Sequence, residues 1–349
     1  MAGIALLGAG LFVKEAHLPA LIEHKANLRA VYSRSSASAQ SLVSLAKELG
    51  VSPTTIATYA DDDSQNSLSS LLIRPDIQAV IIALPITVQP AVVRQCLAAG
   101  KHVLCEKPLA ADIKIAADLI HIYETTYKNQ GTMLAIAEQF RLDRAFTLAR
   151  TLASTRIGKV THVHARVWSN INPSEDPNRW FETQWRKIPE YQGGFVLDAG
   201  VHFVALIRYV SGLEIVETAS LTTQVHDYLP PLDTVNAALR FENGVAGSVS
   251  ISFSSRKQVF EFSFVGENGS VLILGSKNDG ESIVVLEDVG GTVLSQVAIQ
   301  GKGVSEEVGA FLEGVRNGQM DERLDPRQAY ADLAVIQSLC EGGGLVSHL

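Results

Sequence analysis

The sequence predicts a two-domain α/β protein: a doubly wound parallel sheet first, then an α/β domain built on a large, open, mostly antiparallel sheet. Three observations predict it. Over roughly the first 135 residues, short apolar runs alternate with helical patterns, the mark of βαβ units. Beyond about residue 158 the pattern becomes a series of period-two segments separated by Gly-containing turns. A Gly-x-Gly turn, Gly8-Ala9-Gly10, lies between the first apolar run and the first helical stretch. The 349 residues exceed the ~250–300 at which one core stops growing, so the boundary is placed between residues 1–140 and 141–349. The terminal helix is free to pack back on the first domain.

In the first domain the strands are residues 4–7, 28–32, 79–83, 103–105 and 133–137. They are continuous Val/Ile/Leu/Ala runs, as expected of strands buried on both faces. Helices are expected over 15–23, 37–49, 90–99 and 113–127, with Gly50 and Gly100 at their C-terminal ends. In the second domain a strand over 161–168 leads into a Trp- and Phe-containing loop, 171–191, and a helix over 195–210. Strands follow over 216–223, 234–241, 245–253, 259–265, 270–274, 283–287 and 293–298. Helices over 305–316 and 326–340 close the chain; Ser305 before Glu306 and Glu307 suits a helix start.

Composition removes several function classes. With 46% hydrophobic and 19% charged residues the chain folds rather than staying disordered. A formal charge of −8 opposes nucleic-acid and anionic-membrane partners. No apolar run approaches the ~18 residues of a membrane span. Cys96, Cys105 and Cys340 are too few and scattered for a disulfide framework or a zinc site, and no metal site is expected. The chain opens directly on a strand, so it reads as cytoplasmic. Ser347-His348-Leu349, behind Gly342-Gly343-Gly344, is a variant of the peroxisomal tripeptide; the alternatives are that address and three chance residues at a frayed end.

The Gly8–Gly10 turn has the chemistry of a dinucleotide site. Gly8 permits the sharp turn and Gly10 lets the backbone approach a pyrophosphate. The N-terminus of the first helix, led into by Leu11 and Phe12, offers N–H groups and positive dipole charge to that anion. Val13 departs from the Gly or Ala usual at the third position. Where an NAD site places an acid after the second strand, this chain has Ser33-Arg34-Ser35-Ser36. Arg34 can pair with a 2′-phosphate, which selects NADP(H) over NAD(H); the alternative is an ordinary solvated arginine.

Glu106-Lys107-Pro108 follows a strand of the parallel sheet, where ligands of open α/β folds sit. Later, Gly193-Gly194-Phe195-Val196-Leu197-Asp198-Ala199-Gly200-Val201-His202 places Asp198 and His202 four apart, on one face of a helix. The two glycines would permit close approach of a ligand. An ammonium stabilises the alkoxide left by hydride transfer, and a Lys–His relay handles the proton.

These motifs resemble the glucose–fructose oxidoreductase/inositol dehydrogenase/rhizopine-catabolism (Gfo/Idh/MocA) oxidoreductase family, and within it a fungal, NADP-dependent branch. The resemblance covers nearly the whole chain: Gly8–Gly10, Glu106-Lys107-Pro108, Glu138-Gln139-Phe140-Arg141, Trp185-Arg186 and the segment ending at His202. It implies a Rossmann domain plus an α/β domain whose open sheet forms homodimers or homotetramers. It implies Lys107, His202 and Asp198 at the substrate, a small sugar, polyol, carbonyl or alcohol. It further implies that Glu106, an often cis Lys107-Pro108 bond, Leu84 and Pro85 serve the cofactor. For Arg141 and Trp185 there are two readings: they line the substrate pocket, or they are packing and salt-bridge residues. Gln89 stands where the family often has histidine. The alternative functions are a non-catalytic NADP-binding sensor of the galactose-repressor type, and redox-neutral glycosidase chemistry.

Overall fold

The computed structural model describes residues 2–52, 56–173, 183–278 and 280–349, without the side chains of 184 and 185. The chain divides into two units: Met1–Gln139 with Val304–Ala329, and Phe140–Gly303 with Tyr330–Leu349. The second unit is therefore not one continuous stretch, because a late segment belongs with the first.

The first unit holds β1 (Gly3–Leu7), β2 (Asn27–Ser33), β3 (Ala57–Ala60), β4 (Ala79–Ile82), β5 (His102–Glu106) and β6 (Leu134–Ala137). All pair parallel, in the order β3-β2-β1-β4-β5-β6. Every residue of β1, β4 and β6 is buried, which explains their unbroken apolar runs. The first helix begins at residue 11, earlier than expected, and ends as α1 (Leu18–Glu23). Between them, Val13–His17 form a wider π turn. Then come α2 (Ser36–Glu48), α3 (Leu68–Leu72), α4 (Gln89–Ala98) and α5 (Ile113–Ile122). Ser35, Ser67 and Asp112 cap α2, α3 and α5, each accepting a backbone N–H. The short β3 and α3 were not expected: four or five residues are too few to show a period.

The second unit holds α6 (Arg144–Arg156), β7 (Val160–Asn170), α7 (Gln184–Lys187) and α8 (Gly194–Ser211). The meander follows: β8 (Ile215–Thr223), β9 (Thr234–Phe241), β10 (Ala246–Ser252), β11 (Ser254–Gly266), β12 (Gly269–Gly275), β13 (Glu281–Glu287) and β14 (Val293–Gln300). Helix α9 (Gly303–Asn317) belongs almost wholly to the first unit; after α10 (Pro326–Cys340), β15 (Gly343–Leu345) adds an edge strand to the second. The sheet order is β14-β13-β12-β11-β7-β10-β9-β8-β15, antiparallel except for the β7–β10 pair. The α/β class with one parallel and one mostly antiparallel sheet is as the sequence predicts.

Three expectations need correction. Helix α6 went unread because its buried face is largely alanine (Ala145, Phe146, Ala149, Ala153), which gives little apolar contrast. Helix α9 starts at Gly303, and the Ser305 hydroxyl donates to Glu23 Oε2 (2.8 Å) instead of starting the helix. Helix α8 is long and apolar enough to cross a membrane, contrary to the reading that no run approaches a span; it is mostly buried in the protein, and that burial accounts for its hydropathy.

Candidate active site

In the first unit the strand registers (Leu7 beside Tyr32 and Ile82, Ile82 beside Cys105, Glu106 beside Ala137) align the carboxyl ends of the strands. That edge carries Gly8, Ser33-Arg34, Leu84-Pro85, Glu106-Lys107 and Glu138, around the β1/β4 switch point where open α/β sheets bind ligands. Gly8 has φ +124°, its N–H donates to Tyr32 O (2.8 Å), and a Cβ there would lie 2.3 Å from Ala83 O, so only glycine serves. A Cβ at Gly10 would meet nothing within 4 Å, so the turn is open to a ligand. Leu11 is exposed and Phe12 half-buried at the helix start, while Val13 is buried. From Val13 the helix widens, with Leu18 N–H bonding Val13 O. This open turn ahead of a helix N-terminus fits a dinucleotide pyrophosphate.

Ser33 is buried, whereas Arg34 is exposed and has no hydrogen-bond or ion-pair partner among the described residues. The N–H and hydroxyl of Ser36 both donate to Asp62 Oδ1 (2.8 and 2.6 Å), which holds the Asp62 carboxyl below its ordinary range. Asp62 escaped sequence reading because it arrives from beyond β3.

Leu84 and Pro85 are half-buried just past β4. Glu106 is buried, Lys107 half-buried, and the Lys107-Pro108 bond is cis. Gln89 is fully buried, and its amide donates to Glu106 O (3.0 Å) and Pro108 O (3.1 Å). His17 Nε2 lies 2.8 Å from Glu106 Oε1. Glu307 of α9 joins them; one ligand atom from each of the three residues lies within 4.8 Å of the others. The Glu307 carboxyl is pushed well above the carboxylate range, first by burial, then by the charges of Glu106 and Glu138, with Lys107 opposing.

In the second unit α8 carries Asp198, buried, and His202, half-buried, on one face. Arg186 Nε donates to Asp198 Oδ2 (2.7 Å). The His202 ring stacks on Phe140, with centroids 4.9 Å apart and planes at 18°. The Tyr191 hydroxyl is buried with no hydrogen-bond partner among the described residues; burial, then the Asp198 charge, pushes its pKa up.

The glycines at the start of α8 do not open a space for a ligand. A Cβ at Gly193 would lie 2.8 Å from Cys340 Sγ, and one at Gly194 would lie 2.3 Å from Pro230 O. They are glycines because the chain packs on itself there. Arg141 is buried and ion-paired with Asp332, which also pairs with Arg208. Its guanidinium is engaged by that ion pair inside the unit. The Trp185 side chain lies outside the described residues.

Two family descriptions match this chain: "Oxidoreductase family, NAD-binding Rossmann fold" over residues 2–133, and "GFO/IDH/MocA C-terminal domain" over 146–272. Dehydrogenase FPY6 of Fusarium mangiferae is 35% identical, covering 98% of this chain and 98% of that protein. Myo-inositol 2-dehydrogenase of Thermotoga maritima is 28% identical, covering 71% of this chain and 68% of the relative. Among solved structures, an oxidoreductase of Thermotoga maritima superimposes with a TM-score of 0.83 at 27% identity, covering 98% of this chain and 96% of the other. With a parallel sheet that presents an open glycine turn and a second unit built on a nine-stranded sheet, the chain belongs to the Gfo/Idh/MocA oxidoreductase family, with its NAD(P)-binding Rossmann fold.

Proposed function

We propose that this chain is an NADP(H)-dependent dehydrogenase or reductase that interconverts an alcohol and a carbonyl on a sugar, a polyol or a related small molecule. The observation that carries the proposal is the carboxyl edge of the parallel sheet, where the open Gly8–Gly10 turn, the exposed Arg34 and the Glu106-Lys107 step stand together. The dehydrogenase relative supports the reaction type, and the myo-inositol 2-dehydrogenase relative supports the substrate class.

Gly8, Gly10, Leu11 and Phe12 would hold the pyrophosphate end, Arg34 with Ser33 the 2′-phosphate, and Leu84, Pro85 and Glu106 the nicotinamide end. The cofactor, when bound, exchanges the hydride. Lys107 supplies the ammonium that stabilises the developing alkoxide. His202 moves the proton, with Asp198, anchored by Arg186, holding charge beside it. Val293, Leu294 and Val297 of β14 and Leu221 of β8 are exposed, which supports a homodimer or homotetramer formed through the large sheet.

The test is NADPH and NADH oxidation over a panel of keto-sugars and small carbonyls, with wild type and Arg34→Ala. NADPH preferred by wild type, and that preference lost in Arg34→Ala, is expected. NADH preferred by wild type ends the cofactor assignment, and tight cofactor binding without turnover ends the enzyme assignment in favour of a sensor.

A further inference from the structure

We propose that His17, Glu106 and Glu307 form a site for one divalent transition-metal ion, Zn2+ or Mn2+, inside the first unit. The three residues come from the first helix, the end of β5 and α9, and they are 0%, 7% and 0% exposed. His17 Nε2 and Glu106 Oε1 are 2.8 Å apart, close to the ~3 Å between adjacent ligands of an ion with bonds near 2.1 Å. Both oxygens of Glu307 are buried with no hydrogen-bond partner among the described residues, yet its ligand atom lies within 4.8 Å of the other two. No hydrogen bond among the described residues joins Glu307 to the other two, and the three ligand atoms are grouped compactly enough for one ion to be shared.

Charge points the same way. Glu138 is also buried, and Lys107 is the cation that acts on Glu307 among these groups. Three carboxyls, Glu106, Glu138 and Glu307, gather there with Lys107, and a divalent ion bound among them would neutralise carboxylate charge. One imidazole with two carboxylates suits Zn2+ or Mn2+; Mg2+ and Ca2+ favour all-oxygen shells, and Cu(I) favours sulfur. The ion would tie Glu307 of α9 to Glu106 at the end of β5, some two hundred positions earlier in the chain.

The untagged full chain, stripped with EDTA, is titrated separately with Zn2+, Mn2+ and Mg2+, with elemental analysis and thermal unfolding as readouts. One Zn2+ or Mn2+ per chain and a Tm rise of about 5 °C or more at saturation are expected, with little response to Mg2+. Glu307→Gln and His17→Gln, each checked for native circular dichroism, lose that rise. Should one variant fail to fold, the other carries the comparison. Absence of a bound ion and of a Tm shift in wild type overturns the site. So does an undiminished response in the variants. A Glu307→Gln chain more stable than wild type without metal, beside a wild type indifferent to Zn2+ and Mn2+, shows that the cluster shares protons only and also overturns it.

Discussion

The Gln89 side chain donates to Glu106 O at 3.0 Å and to Pro108 O at 3.1 Å, bracketing Lys107 from a fully buried position. The residue that departs from the family's usual histidine therefore braces the backbone that presents the lysine. Gln89→Leu keeps the volume and strips both donors from two buried carbonyls. A loss of about 2 kcal/mol in unfolding free energy is expected, read from urea melts. Unfolding indistinguishable from wild type removes the brace.

If Lys107 and His202 handle the proton, Lys107→Ala and His202→Ala each lower turnover by about two to four decades. Cofactor affinity, followed by NADPH fluorescence, changes far less. Full activity in both variants eliminates the assigned roles.

Asp332 is 1% exposed and receives both Arg141 and Arg208. Arg208 has a second partner in Glu214 at 2.8 Å. Asp332→Ala strands Arg141 inside the second unit, and a loss of about 3–5 kcal/mol follows. Calorimetry of the variant checks it; a shift within error of wild type shows the pair to be replaceable by water.

The hydrogen bond from Arg74, supported by Arg29, holds Asp76 at about 2, below its ordinary 3.8. The folded value lies below the unfolded one, so the pair stabilises above pH ~4 and loses that contribution as pH falls toward 2. The carboxylate is 39% exposed, which limits the effect to about 1 kcal/mol or less. Asp76→Asn should flatten the acid limb of a urea-midpoint profile between pH 2 and 5; an unchanged limb assigns it to other carboxyls.

Several features were legible because their signals are local. The unbroken apolar strands report two-sided burial, Gly8 and Gly10 sit in one tight turn, and Asp198 and His202 share a helix face through a spacing of four. Helix α6 was not, since alanines bury little and mark a face weakly. The two glycines before Phe195 were read as room for a ligand, but spacing does not say what fills the room, and here Cys340 and Pro230 do.

The order of residues along the chain was enough to determine the class of each sheet, the glycine turn, and the placing of Glu106-Lys107 just past a buried strand. Tertiary structure alone decided which charged groups share the interior. His17 meets Glu106 across 89 positions and Arg141 meets Asp332 across 191. Periodicity carries no record of such pairs. A buried charge is stabilised by whichever opposite charge or donor the fold brings within hydrogen-bonding reach, and that reach is measured in space.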